Sequence, residues 1–287
     1  MISFICPTIR PEKWSSLRDQ IAYKSYEFEI IFLGPLKKMN RIPKNCRYVR
    51  TFVKPSQCFQ AGVLISKYNY IALLSDDISL NKENYLEEVY KNINLVENKK
   101  TILSLKLSSY GVDLWKKFEP FNYMETPSAA VIKKSDFFSL GGIDSRFVAV
   151  NHDTDLYLRF LENGFKNIFI DIIATEHIRK PLVPSLYNKF SKNDQLLLKK
   201  LWFTNGVFSL RRKDYVKSYS ADNLLDATVE PFGKWKNTSF IFNFFKYNFF
   251  YYLLIKTFTL DFNFIYNFYL RNIDNFFIKI IKKIIKS

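Results

Sequence analysis

Apolar and polar positions along this 287-residue chain sort into short buried runs separated by amphipathic ones. Ile2 to Cys6 is apolar and closed by Pro7, which predicts a buried strand running into a loop. The mixed polarity of Trp14 to Tyr23 fits a helix. Phe28 to Leu33 (FEIIFL) predicts a second strand, stopped by Gly34-Pro35, and Arg47 to Val53 a third. Ser56 to Lys67 carries Phe59, Val63 and Leu64 at helical spacing, and Tyr70 to Leu74 returns to strand. A helix over about Lys82 to Val96 and a strand over Thr101 to Leu107 follow. This alternation predicts an α/β domain with a largely parallel sheet.

Pro127 to Ile132 then brings small residues into an apolar run, and Gly141-Gly142 marks a tight turn or a close backbone approach. Asp153 to Asn163 reads as a helix with Gly164 at its C′ position, and Asn167 to Ile173 (NIFIDII) as a strand. Pro181 to Trp235 is mixed, and no element is assigned there. At about residue 237 the composition shifts to an aromatic-rich tail, so the chain divides into 1–236 and 237–287. No apolar run in the tail reaches the ~18 residues of a membrane span. Its last segment, FFIKIIKKIIKS, sets Ile278, Ile281 and Ile285 against Lys279, Lys282, Lys283 and Lys286. Such a helix suits an anionic membrane surface; packing its stripe on the domain is the other reading.

A hydrophobic share of 48% excludes a disordered chain. The formal charge of +16, from 43 Lys and Arg against 27 Asp and Glu, suits an anionic partner. Part of that excess accompanies abundant Lys, Asn, Ile, Phe and Tyr, a bias that an AT-rich genome would also produce. Cys6, Cys46 and Cys58 form no metal-ligand spacing, and the N-terminus reads as a strand rather than a leader. A reduced, cytoplasmic setting is therefore expected.

The chemistry concentrates in YIALLSDDISL, residues 70–80, where an apolar run ends in Asp76 and Asp77. Adjacent carboxylates repel and lose solvation if buried. Either they sit in a solvated turn, or something positive faces them. In an α/β sheet the carboxyl ends of the strands open onto the ligand crevice, and this pair stands at such an end.

Three blocks resemble the family-2-like glycosyltransferases of the GT-A fold, over roughly residues 1–180. ISFICPTIRPEKW is similar to their first strand and donor loop, KPSQCFQAGVLISKYNYIALLSDDI to their helix–strand unit ending in a DxD-type motif, and GGIDSRFVAVNHDTDLYLRFLENGFK to their acceptor-side block. The resemblance implies a nucleotide-diphosphate sugar as donor, UDP-linked by default, and Mg²⁺ or Mn²⁺ held by Asp77 and His177. It implies donor contacts from Thr8, Arg10, Gln60 and Asp76, an acceptor side of Gly141, Gly142, Asp144 and His152, and Asp153 as general base. The acceptor would be a glycan or a lipid-linked chain, and the setting cell-surface polysaccharide synthesis at the inner membrane face. Ser75 stands where the family often has a first Asp, His152 where Glu is common, and Gly34-Pro35 where many relatives carry an acidic residue.

Plainer readings stand beside these. Asp153 can be an N-cap, Asp155 and Arg159 an i,i+4 pair, and His177 a structural histidine. A nucleotidyltransferase of similar core would want a Gly-rich loop after the first strand, which CPTIRPEKW lacks. A nucleic-acid-binding protein would want its cations on the core; the clearest cationic face is on the terminal helix, so no nucleic-acid partner is expected.

Overall fold

In β1 (Ile2–Pro7), Ile2, Phe4 and Cys6 enter one hydrophobic cluster and Ile5 another, so the strand is apolar on both faces. A strand buried on both sides needs a helical layer on each, and the chain supplies them. A computed structural model describes residues 1–22, 26–36, 41–51, 53–81, 85–109, 112–113, 127, 129–176 and 184–219.

After β1 come a 3₁₀ turn (Pro11–Lys13), α1 (Trp14–Ile21), β2 (Phe28–Gly34), β3 (Cys46–Arg50), α2 (Pro55–Ile65) and β4 (Tyr70–Leu73). β5 (Ile78–Leu80), α3 (Tyr85–Asn98), β6 (Thr101–Ser109), β7 (Val112–Asp113), β8 (Val131–Lys133) and α4 (Lys134–Ser139) follow. The described chain closes with α5 (His152–Glu162), β9 (Lys166–Glu176), α6 (Pro184–Trp202) and a hairpin of β10 (Phe203–Thr204) and β11 (Val207–Phe208).

The main sheet runs β3-β2-β1-β4-β8-β6-β9-β5, with β7 on β6. The strands from β3 to β4 are parallel neighbours, as are β6 and β9, while β8 and β5 run against theirs. The expected mostly parallel α/β sheet is present. Trp14, Leu17 and Ile21 of α1 and Tyr85, Leu86 and Val89 of α3 cover one face. Cys58, Phe59, Ala61 and Val63 of α2 cover the other, with Phe137 of α4 and Leu156, Tyr157 and Phe160 of α5.

The third strand ends at Arg50, short of the expected Val53, because its partner β2 ends at Gly34 before Pro35 and Pro55 already opens α2. α5 ends as its sequence predicts. Gly164, at φ +79°, donates to Leu161 O, and Phe165 N reaches Phe160 O with the two rings 4.8 Å apart. That is a complete Schellman closure. β5, α4, α6 and the hairpin were not assigned from sequence; β5 is three residues long and exists only by pairing with the distant β9. Among the described residues no helix is long and apolar enough to cross a membrane. The expected tail, residues 237–287, and the boundary before it lie outside the described residues.

Two glycines set close approaches that fix the site. A Cβ on Gly62 would lie 2.2 Å from Ile5 Cγ2, so α2 packs directly on β1. A Cβ on Gly34 would lie 2.0 Å from the carbonyl oxygen of Thr8, where β2 passes the loop after β1. Backbone cannot give way as a flexible side chain can. Gly34→Ala should therefore lower stability by about 1–3 kcal/mol, read as a reduced urea midpoint.

Candidate functional site

β1 and β4 are parallel neighbours, so the loops leaving their carboxyl ends lie side by side. Thr8 to Arg10 comes from the first and Ser75 to Asp77 from the second, and both line a cleft of about 450 Å³. Asp76 is only 5% exposed. It accepts hydrogen bonds from Thr8 Oγ1 at 2.7 Å, Ile9 N at 3.2 Å and the Arg10 guanidinium. The Thr8 hydroxyl is itself fixed, accepting from Trp14 Nε1 at 2.9 Å and Arg10 N at 3.2 Å. Arg10 Nη1 also stands 3.4 Å from Asp77 Oδ2, while Ser75 donates to the other Asp77 oxygen.

The paired aspartates thus have a positive partner, and it is Arg10. One guanidinium does not balance two carboxylates. Burial pushes the Asp76 carboxyl above its ordinary value, with the Asp77 charge adding, against the pull of Thr8, Arg10 and Ile9.

The opposite wall comes from the turn into α5. Asn151 adopts a left-handed conformation, φ 60°, and its carbonyl accepts the first helical bond from Asp155 N at 2.9 Å. His152 is 6% exposed, its ring 4.9 Å from that of Phe59. Burial lowers its pKa, although Asp153, Asp194 and Asp155 pull the other way. The Asp153 carboxylate accepts from Thr154 N at 2.8 Å. Both side chains line the cleft.

Six anticipated residues therefore meet in one cleft: Thr8, Arg10, Asp76, Asp77, His152 and Asp153. Gln60, Gly141, Gly142 and Asp144 do not line it. Gln60 Oε1 accepts from Ile143 N at 2.9 Å, and a Cβ on Gly142 would come 2.5 Å from that same oxygen. Gln60 thus pins the glycine turn from α2. His177 lies outside the described residues. Glu176, at the end of β9, lines the cleft and was not anticipated.

Behind the wall formed by the turn into α5 lies a buried charge network. Asp155 accepts from Arg159 Nε, Trp202 Nε1 and Arg212 Nε, each at 3.0 Å. The i,i+4 pair read from the sequence is thus present. Arg159 also donates to the carbonyls of Leu140 and Gly142, tying α5 to the glycine turn. Arg212 continues to Asp144 at 2.6 Å, which Arg146 also holds at 2.7 Å. Asp144 belongs to this network, and Arg212 fell in a stretch whose sequence pattern assigned nothing.

Whether these residues fit a divalent cation depends on the donor set. Among the described residues, no three His, Cys, Asp or Glu side chains gather as a metal cage. Asp77 and the buried Asp76 are hard oxygen donors lining the cleft, and they share the single guanidinium of Arg10. Mg²⁺ is commonly held by one or two carboxylates plus substrate phosphates, so the set fits that kind of ion.

No protein-family model and no curated protein matches the chain. Solved structures do. The crystal structure of GalNAc-T7 with UDP, GalNAc and Mn²⁺ matches at 11% identity and TM-score 0.51, over 72% of this chain and 48% of that one. The fold is of GT-A type. S. aureus TarS 1–349 also matches at 11% identity and TM-score 0.43, over 62% of this chain and 58% of that one. Its complex with UDP matches at 12% and 0.46, over 69% and 65%. The chain thus spans roughly half to two thirds of the length of these structures.

The Asp144 network carries a pH signature. Burial alone would raise that carboxyl, but hydrogen bonds from Arg146 and Arg212 outweigh it and hold the pKa at about 2 against an ordinary 3.8. A carboxyl depressed in the folded state contributes stability that is complete above the unfolded value and lost as pH falls through the folded one. Asp144→Asn should be less stable than the parent by about 2 kcal/mol at pH 7. The gap should close between about pH 4 and pH 2, as urea unfolding at stepped pH will measure.

Proposed function

We propose that the protein is a nucleotide-sugar-dependent glycosyltransferase, metal-assisted and inverting. The observation that carries this reading is the single cleft with Arg10, Asp76 and Asp77 on one wall and Asp153 on the other. It stands at the carboxyl ends of parallel strands in a fold of GT-A type. GalNAc-T7 was crystallised with UDP, GalNAc and Mn²⁺ and TarS with UDP-GlcNAc, and a UDP-sugar is the donor proposed here.

Arg10 can present a planar fork to diphosphate oxygens, and Thr8 holds the loop that carries it. Asp77, backed by Asp76, would hold Mg²⁺ or Mn²⁺. His177 is the proposed further ligand, supported by the pairing of Glu176, its neighbour in sequence, with Ile78, the neighbour of Asp77. Such a cation, when bound, compensates charge developing on the diphosphate leaving group. Asp153 takes the proton of an acceptor hydroxyl as that oxygen bonds to the anomeric carbon. The bond from that carbon to the diphosphate breaks on the opposite face, which inverts the centre.

The acceptor is proposed to be a glycan or lipid-linked chain in cell-surface polysaccharide synthesis. Residues 1–236 would form the transferase domain, and the aromatic and basic tail, residues 237–287, would hold it on the anionic inner face of the membrane. The pattern of isoleucines against lysines in the last segment supports that placement.

A thermal-shift screen of UDP and GDP, each with and without Mn²⁺, tests the nucleotide and the metal together, because a ligand bound only to the folded state raises its melting temperature. Asp77→Ala should weaken Mn²⁺-dependent UDP binding by about 30-fold or more, since losing one partner of a close charge pair costs roughly 2 kcal/mol or more. Unchanged affinity and metal dependence would remove Asp77 from the metal. Asp153→Asn should reduce transfer by on the order of 10²–10⁴-fold with donor affinity kept. Full turnover in that variant would remove Asp153 from the base role and leave it a carboxylate in the first turn of α5, behind the cap residue Asn151.

A further inference from the structure

Asp194 lies on α6, outside the cleft, and is 1% exposed. Its carboxylate takes three successive backbone N–H groups: Val148 at 3.2 Å to either oxygen, Ala149 at 2.7 Å and Val150 at 2.9 Å. Consecutive amides converging on one anion make a nest, a fixed curvature of the backbone. The chain leaves that nest through Asn151 in its left-handed conformation and delivers His152 and Asp153 to the cleft. Upstream, Ser56 Oγ donates to Phe147 O at 2.6 Å, so the loop is clamped from α2 as well.

α6 holds the neighbouring helix separately. Its Leu198, Leu201 and Trp202 form a buried cluster with Phe147 and Leu158, and Trp202 is the residue bonded to Asp155. Asp194, Leu198, Leu201 and Trp202 follow at i, i+4, i+7 and i+8, one face of a helix. The helix body is gripped by Trp202, and the loop that aims its first turn is gripped by Asp194.

We propose that Asp194 is a positioning residue for the base: it sets where Asp153 stands relative to the donor without touching either substrate. The inference rests on the transferase reading given above. A shift of about 1 Å in a reacting group costs on the order of 10²-fold in rate. A side chain that only supports the fold would lower melting temperature and donor affinity along with the rate.

The experiment uses the full chain with Mn²⁺, UDP as binding probe and UDP-N-acetylglucosamine as turnover probe, water taking the place of the acceptor. Asp194→Asn keeps the shape but loses the charge that gathers the three amides. It should retain UDP affinity within about twofold and a near-parental melting temperature, while turnover falls on the order of 10²-fold. Combined with Asp153→Asn it should cost little more than Asp153→Asn alone, because both act through one group. Hydrogen exchange, which needs no turnover, should quicken in peptides covering residues 147–153 and stay unchanged over β1 and β4. Parental exchange in that segment overturns the proposal, as does a joint fall in affinity, stability and rate, or a penalty additive with Asp153→Asn. Parental turnover of Asp194→Asn beside an inactive Asp153→Asn overturns this inference alone. Parental turnover of Asp153→Asn overturns the base assignment and this inference with it.

Discussion

A carboxylate taken out of water must find donors, and four aspartates of the described chain are buried: Asp76, Asp144, Asp155 and Asp194. Each recruits groups from distant sequence. Asp76 draws on the loop after β1, Asp144 on Arg146 and Arg212, Asp155 on Arg159, Trp202 and Arg212, and Asp194 on the amides of residues 148–150. Ion pairs of this kind contribute little net stability, because desolvation offsets much of the attraction. Their effect is on geometry. A donor displaced from its place leaves a charge stranded, so the segments supplying donors have one acceptable arrangement.

The four do not share one character. Asp144, Asp155 and Asp194 sit behind the cleft with several donors each, in a setting built for rigidity. Asp76 sits on the cleft itself, shares Arg10 with Asp77 and has its carboxyl pushed upward by burial. The wall of Asp76 and Asp77 is therefore left short of positive charge, while each aspartate behind the other wall is held by several donors. An imbalance of that sign can be relieved by a positive group, and the first wall alone has it.

What the sequence made legible follows from how local each signal is. Apolar runs that are buried on both faces read plainly as strands, and Gly164 closed its helix where a C′ glycine should. The aspartate pair at the end of β4 could be placed because a parallel sheet fixes where its strands open. Gln60 read as a donor contact only by resemblance; its work on Ile143 N depends on how α2 meets a turn some eighty residues away. α6 escaped notice because its apolar face is interrupted by Asp194, a polar residue that only a backbone nest explains. Arg212 carries no pattern of its own, and its meaning comes from two aspartates that lie 68 and 57 residues before it.

The indole of Trp14 stacks on Phe32, with ring centroids 4.5 Å apart, and donates to Thr8, while that of Trp202 donates to Asp155. Each wall of the cleft thus carries its own built-in chromophore, one hydrogen-bonded to the loop beneath Arg10 and the other to the helix that carries Asp153. Indole emission responds to the field of nearby charges. With Trp115 and Trp235 replaced, the two remaining tryptophans would let either wall be followed optically, in real time and without a label.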